Sequence, residues 1–197
     1  MAISTMGLLL ASSPALATEQ SAPPTTVRGS VSIVLGPSFV QQMFKAGIFI
    51  YGSSSVGVAM GGNQSLSASF PLEGTSKATP TSLIQVDGET GGMDIFNGPM
   101  GTTAGLDALV VRRTGSTGFI TGNVIGPFSM ESDQFNETIP LFAMSSARVK
   151  TSGTGWTLTS ALTVTEQGAA TLNTLLRSTF FQAGARIGSL RADVNSS

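Results

Sequence analysis

The stretch LTVTEQGAATLNTLLRSTFFQAGARIG, residues 162–188, predicts a β-strand that leads into a short helix and then into another strand. Its helical part, over residues 165–177, opens on Thr165, a hydroxyl residue of the type that caps helix N-termini. Ala169, Leu172 and Leu176 follow at helical spacing, and Gly184 supplies a later stop. The order strand, helix, glycine, strand is therefore expected in the last third of the chain.

The residues around the start of this stretch alternate between a mostly apolar set and a mostly hydroxyl set, which is typical of a strand with one buried face. The expected inward set is Trp156, Leu158, Ser160, Leu162 and Val164. Residues 66–72 alternate in the same way and include Pro71, whose missing N–H favours an edge position.

Shorter apolar blocks between turn residues predict the remaining strands, at residues 31–35, 48–51, 83–86, 93–96, 106–112, 119–125, 139–149 with a break, and 187–194. This spacing is typical of antiparallel β architectures. We therefore predict a mainly β fold, an antiparallel sandwich or barrel of about 9–10 strands with two short helices.

The second helix is expected near the N-terminus, in SVSIVLGPSFVQQMFKAGIFIYG, residues 30–52. Pro37 suits a first helical turn, and Gly47 suits the end of the helix. Each end of the domain thus has a strand, a short helix, a glycine and a strand. A weak internal duplication, two helices that close similar openings, and two helices of independent origin all fit this pattern.

The N-terminal residues predict export. MAISTMGLLLASSPALA has a short apolar run and an Ala15-Leu16-Ala17 cleavage signal, although no basic residue comes before Arg28. We expect a signal peptide at 1–17, a linker or disordered arm at 18–26, a single β-rich domain at 27–194 and a tail at 195–197. The expected location is secreted or at the cell surface, with no membrane span, because no apolar run is long enough.

Charged residues make up only 11% of the 197-residue chain, and the net charge is −1. Without a cationic face, nucleic acid is not an expected partner. A β surface with so few charges has little protection against edge-to-edge pairing. The composition therefore favours contacts with copies of the chain itself or with another surface component.

Histidine and cysteine are both absent. This removes the commonest general base, the usual partner of a nucleophilic serine and the usual zinc ligands. We predict that the chain is not an enzyme, and we assign no catalytic, cofactor-binding or metal-binding residue.

Acidic residues leave two alternatives open, a hard-cation site and a carboxylate pair of the glycosidase kind. The first acidic group is Asp87, Glu89 and Asp94. It lies in a glycine-rich turn without the ligand spacing of a calcium loop, so we expect these acidic side chains to be solvated. The second group, read in the same way, is Glu131, Asp133 and Glu137.

Tryptophan and tyrosine occur once each, and both residues are candidate ligand contacts. Trp156 shares a face with Leu and Val, so we expect it to pack in the core. Tyr51 is a nominal ligand for haem iron, since tyrosinate can hold it, but no histidine is present to support that role.

Several short segments carry a resemblance to a known family: LSASFPLEG (66–74), TLTSALTV from residue 157, Ala169-Ala170, Leu172-Asn173, Phe181, Gly184 and Gly188. Together they resemble exported bacterial domains of the HtaA type. The similarity covers about residues 29–194 and implies a β-rich fold and an extracellular location. Some members take part in haem uptake, and those that bind haem share a Tyr and a His. This chain has Glu89-Thr90 before Gly91-Gly92, where a His would stand, so the resemblance does not carry over haem binding.

Three functions remain as hypotheses. The first is a non-enzymatic envelope or extracellular protein that acts through self-assembly or surface contacts. The second is a binding module for a small hydrophobic ligand, held between the sheets or under the two helices. The third is a carboxylate-based hydrolase that acts on glycans.

Overall fold

A computed structural model describes residues 27–52, 56–72, 83–85, 92–126 and 135–196. The expected signal peptide and linker, and the acids Asp87, Glu89, Glu131 and Asp133, lie outside these residues.

Eleven strands and two helices make up the described part of the chain. In chain order they are β1 (Val27–Leu35), α1 (Pro37–Lys45), β2 (Ile48–Gly52), β3 (Gly57–Met60), β4 (Leu66–Leu72), β5 (Leu83–Gln85), β6 (Met93–Asn97), β7 (Thr102–Thr114), β8 (Thr117–Gly126), β9 (Phe135–Ser152), β10 (Gly155–Val164), α2 (Glu166–Leu175) and β11 (Arg186–Ser196). The predicted mainly β class and the two short helices are confirmed.

All described strand pairs are antiparallel and belong to one sheet, in the order β2-β6-β7-β8-β9-β10-β11-β1-β4-β3, with β5 beside β7. The two end strands, β2 and β3, approach each other without forming a described ladder, so the sheet is a nearly closed barrel. We call the gap between β2 and β3 the seam.

The long strand β9 links the two halves of the barrel. Its first part pairs with β8 as far as Met144, and its second part pairs with β10 from Phe142 onward. The break predicted within this strand is a bulge, where the pairing register with β10 shifts and Ser146 takes a φ of 54°. A bulge bends a strand, which suits its position between two halves of a barrel.

The interior of the barrel is filled by the inward faces of the strands. The alternation predicted for β10 is confirmed, because every member of its inward set is buried, from Trp156 at 9% exposure to Leu162 at 0%. Full burial of a leucine side chain stabilises a fold by roughly 1.5–3 kcal/mol. The expectation that Trp156 packs in the core is thus also confirmed.

Both helices lie at one end of the barrel, which we call the helix end. Thr165 caps α2 as predicted, since its Oγ1 accepts a hydrogen bond from the Gly168 N–H at 2.9 Å. Pro37 stands in the first turn of α1, and Gly47 follows the helix with a φ of 72°. The backbone N–H of Gly36 donates to the Ile187 carbonyl at 2.8 Å, which fixes the start of α1 beside β11.

The two helical segments are not equivalent in topology. The strands on either side of α2, β10 and β11, are neighbours in the sheet, whereas β1 and β2 are far apart in the strand order. This favours two helices that close one opening over a simple duplication.

Two predictions about edges need correction. Residues 57–62, where no strand was expected, contain the strand β3, which is mostly exposed and so lacks the burial alternation that reveals a strand. The end strand is therefore β3, and β4, which contains Pro71, is second from the end. Its pairing with β3 reaches only Ser69, so Pro71 lies beyond that ladder.

Candidate functional site

The segment between α2 and β11, residues 176–185, forms the outer surface of the helix end, and Asn173 holds it in place. The Asn173 Nδ2 donates to the Phe181 carbonyl at 2.7 Å, and its Oδ1 accepts from the Phe181 N–H at 3.0 Å. The same Oδ1 accepts from the Ser178 hydroxyl at 3.0 Å. One amide side chain thus satisfies both backbone groups of Phe181 and fixes the turn before it.

Aromatic packing attaches this segment to α1. The ring of Phe180 lies 5.2 Å from that of Phe39 on α1 and 5.1 Å from that of Phe181, centroid to centroid. Phe181 is buried, while Phe39 and Phe180 are only partly buried. Phe180 therefore presents part of its ring to solvent while the core holds its neighbour.

The C-terminus of α2 is held from the other side, by the turn between β6 and β7. The carbonyl of Leu176 accepts hydrogen bonds from the Asn97 Nδ2 at 2.8 Å and from the Thr102 Oγ1 at 2.9 Å. Both donors are buried. These bonds satisfy the Leu176 carbonyl, which lies at the C-terminus of α2 and has no partner within that helix.

Two grooves open on either side of Phe180. The α1 groove has a volume of about 480 Å³ and is lined by Ser38, Phe39, Gln42, Lys45, Ala46, Thr179, Phe180, Gln182, Ala185 and Arg186. The α2 groove has a volume of about 790 Å³ and is lined by Ala46, Ile48, Asn97, Pro99, Met100, Asn173, Thr174, Arg177, Ser178, Thr179 and Phe180. Both volumes fall in the range of small-molecule sites.

The charge in the two linings has one sign. Lys45 and Arg186 line the α1 groove, and Arg177 lines the α2 groove. Within the described part of the chain, no Asp or Glu contributes to either lining. Each groove therefore combines apolar walls with a cation and suits an apolar molecule with an anionic group.

Inside the barrel, a cavity between Ile33, Ile95, Leu106, Phe181 and their neighbours has a volume of only about 20 Å³. That is about the volume of one water molecule. Of the two locations proposed for an apolar ligand, the described interior thus has no room, and the helix end does.

Tyr51 does not belong to the site. It lies on β2, 53% exposed, and lines neither groove. Its strand borders the seam and also carries Phe49, whose ring stacks on that of Phe44 with the centroids 5.8 Å apart.

Asp94, from the first acidic group, lies on β6 near Asp107 of β7, which the sequence reasoning had not singled out. Burial, and secondarily the charge of Asp94, raise the pKa of Asp107. Glu137 is exposed on β9. Among the described residues, no three acidic, histidine or cysteine side chains form a group that could hold a metal ion.

The helices in the described ranges are too short and too polar to cross a membrane.

Comparisons with known proteins rest on the fold. No family model and no curated protein sequence matches this chain. Among solved structures, the heme binding protein HtaB from Corynebacterium glutamicum matches with a TM-score of 0.62 and 13% identity, over 88% of this chain and 95% of that one. The C-terminal domain of HtaA from the same organism matches with a TM-score of 0.59 and 13% identity, over 87% and 99%.

The chain has a distant HtaA-type fold. The N-terminal domain of HtaA is similar to it as well, with a TM-score of 0.58 and 14% identity, over 88% of this chain and 99% of that domain. The resemblance seen in the sequence is confirmed at the level of the fold.

The structure also explains the positions that carried this resemblance. Asn173 and Phe181 form the hydrogen-bonded pair described above, and Leu172 is fully buried. Gly184 has a φ of 77°, and a side chain at Gly188 would collide with the Val34 carbonyl across the β1–β11 ladder. These residues build the helix end, whereas Asn97, Phe180 and Arg186 carried no motif that pointed to a site.

Proposed function

We propose that this chain is a non-enzymatic binding module, displayed outside the cell, which holds a flat apolar molecule with carboxylate groups in the α1 groove. The observation that carries the proposal is the geometry of that groove. Phe39 and Phe180 supply tilted aromatic faces, and Lys45 and Arg186 line the same groove. A ligand that stacks on the rings can therefore pair its carboxylates with the cations.

Porphyrins belong to this ligand class, and one protein of the same fold is a heme binding protein. The α1 groove fits the porphyrin ring and its carboxylates better than it fits the iron. Among the described residues, its lining has no His, Cys, Met or Tyr, which are the usual axial ligands. We therefore expect affinity to come from stacking and ion pairing, without an axial bond to the metal.

The test is a titration of the purified chain with metal-free protoporphyrin IX and with haem, followed by intrinsic fluorescence and by absorbance. We expect the two to bind with affinities within about threefold of each other, because the iron adds no bond to a side chain. A preference for haem of about a hundredfold or more would contradict binding through the ring alone.

A pair of variants locates the binding. Phe180→Ser removes a ring from the groove and should weaken porphyrin binding about tenfold or more, since an aromatic stacking contact contributes roughly 0.5–1.5 kcal/mol in addition to the apolar area that the ring buries. Phe119→Ser is the matched control, because Phe119 is 51% exposed on β8 and lines neither groove. Equal affinities for the two variants would refute the proposed location.

Self-assembly is a second candidate function, and the seam supports it. The strands β2 and β3 end the described sheet, and Phe49, Tyr51 and Met60 are exposed along them. One solved variant of the HtaA C-terminal domain, at 11% identity and a TM-score of 0.54 over 81% of this chain and 91% of that one, is a domain-swapped dimer. We expect the chain to form an oligomer at high concentration, measured by light scattering after gel filtration, and we expect Tyr51→Lys to abolish it. A strict monomer would contradict this function.

A further inference from the structure

The outward face of the strands from β9 to β4 brings together cations that are far apart in the chain. Arg148 of β9 and Arg191 of β11 both face Thr159 of β10, one from each side. The two cationic residues therefore lie two strands apart, with their Cα atoms about 10 Å from each other. All three residues are exposed, because the alternate positions of their strands point into the core.

A second row of the same face lies two residues further along β9. Lys150 is exposed there and faces Thr157, which in turn faces Asp193 of β11. The Lys150 Cα atom lies about 7 Å from that of Arg148. Arg28 is exposed on β1, which pairs with β11. Strand register alone assembles this surface, which we call the cationic face and define by Arg28, Arg148, Lys150 and Arg191.

The one described acid on the cationic face is already paired. The Asp193 carboxylate accepts hydrogen bonds from the Arg191 Nε at 2.6 Å and Nη2 at 2.8 Å, and from the Thr157 hydroxyl at 2.8 Å. Such a bidentate pair balances the charge of both groups. The other three cations form no ion pair with any described residue. Their charges are therefore available to an anion that approaches from outside.

The positions around these cations carry hydroxyl groups. Ser32 and Ser69 continue the row of Thr159 across β1 and β4, and their hydroxyls hydrogen-bond to each other at 2.9 Å. Ser30 continues the second row. No aromatic side chain occupies an outward position in the described part of this face. The face thus lacks the stacking surfaces that hold single-stranded nucleic acids, and it suits a partner with hydroxyl groups of its own.

We propose that the cationic face docks an extended acidic polysaccharide, whose sugars carry carboxylates. The carboxylates pair with the cations, and the sugar hydroxyls exchange hydrogen bonds with the serine and threonine rows. A polymer suits this surface because the cations extend over four neighbouring strands, across about 15 Å. None of these cations lines either groove of the helix end. The proposal is therefore independent of the porphyrin site.

Two polymers with the same sugar backbone test the proposal by isothermal titration calorimetry at low ionic strength. Polygalacturonate has free carboxylates, and its methyl ester has none. We expect polygalacturonate to bind at least about tenfold more tightly than the ester, and to bind more weakly as salt is added. Equal affinities, or no binding of polygalacturonate, would overturn the proposal. Tighter binding of duplex DNA would assign the face to nucleic acid and would overturn it too.

A pair of double variants locates the polymer. Arg148→Gln combined with Lys150→Gln should weaken polygalacturonate binding about fivefold or more, because two ion pairs with the polymer are lost. The matched control is Arg112→Gln combined with Arg177→Gln, which removes two exposed cations outside the cationic face. We expect the control to bind within about twofold of the unmodified chain. Equal losses in the two double variants would show that only net charge matters, and would reject this face as the docking site.

Discussion

At Asn173 one side chain connects the last turns of α2 to the segment that separates the two grooves. Its amide replaces the hydrogen bonds that water would otherwise make to the backbone of Phe181. Since Phe181 is buried, a loss of these bonds leaves polar backbone groups without partners in an apolar setting.

We expect Asn173→Ala to lower the free energy of unfolding by about 2–4 kcal/mol, from the several hydrogen bonds lost. Urea denaturation followed by tryptophan fluorescence measures the change. The control is Gln167→Ala, an exposed position on α2, which should stay within about 0.5 kcal/mol of the unmodified chain. If the two variants are equally stable, the Asn173 bonds do not hold the segment.

Asp107 provides a test through pH. Burial, with the Asp94 charge adding to it, raises the pKa of Asp107 in the folded state above its ordinary value of 3.8. The folded chain then binds more protons than the unfolded chain in the interval above that value, so its stability falls as pH rises through the folded pKa. We expect Asp107→Asn to remove this fall, measured as midpoints of thermal unfolding at a series of pH values.

Asp193 gives the contrasting case. The hydrogen bond from the Arg191 guanidinium lowers the pKa of Asp193, so its contribution is present above 3.8 and is lost as pH falls through the lower folded pKa. Asp193→Asn should therefore remove the loss of stability on acidification below 3.8, and above 3.8 it should leave the slope of stability against pH unchanged. The account of Asp107 fails if Asp107→Asn and Asp193→Asn change the same part of the profile.

At the scale of the elements, the pair β1–β11 carries close contacts that only glycine permits. Gly29 faces Val194 near one end of the ladder, and Gly188 faces Leu35 near the other. In both cases a Cβ would fall against a carbonyl oxygen of the opposite strand, that of Asp193 or of Val34. The helix end depends on this ladder, because Ile187 in β11 anchors the start of α1.

We expect Gly188→Ala to be destabilised by about 3 kcal/mol or more, because the strands must separate to admit the methyl group. Gly184→Ala is the matched control, since Gly184 also has a positive φ but has open space around its Cα. Its cost should stay near 1 kcal/mol, from backbone strain alone. Differential scanning calorimetry compares them, and equal losses would show that the close approach across the ladder is not the cause.

The elements that could be predicted from the sequence are those in which local pattern and burial agree. β10 is the clearest case, because every second side chain of the strand packs into the core. α2 is recognisable by its N-terminal cap and by the helical spacing of its apolar residues. β3 was missed because an exposed end strand has no buried face to produce a pattern. The grooves could not be predicted at all, since Asn97 and Leu176 meet across a separation of 79 residues.

At the scale of the whole molecule, the described interior around Ile33, Ile95 and Leu106 leaves little free space, and two regions of the surface differ in composition. The helix end carries two grooves with cations, while the seam carries exposed aromatic residues on the end strands. The first surface suits small ligands and the second suits contacts between chains.

The central claim is that the helix end is the binding surface of this fold. Backbone amide chemical shifts of the isotope-labelled chain, recorded during a titration with metal-free protoporphyrin IX, test it most directly. We predict saturable shifts at Lys45, Phe180 and Arg186, with β2 and β3 unchanged. Shifts confined to β2 and β3, or no shift at saturating porphyrin, would contradict the claim.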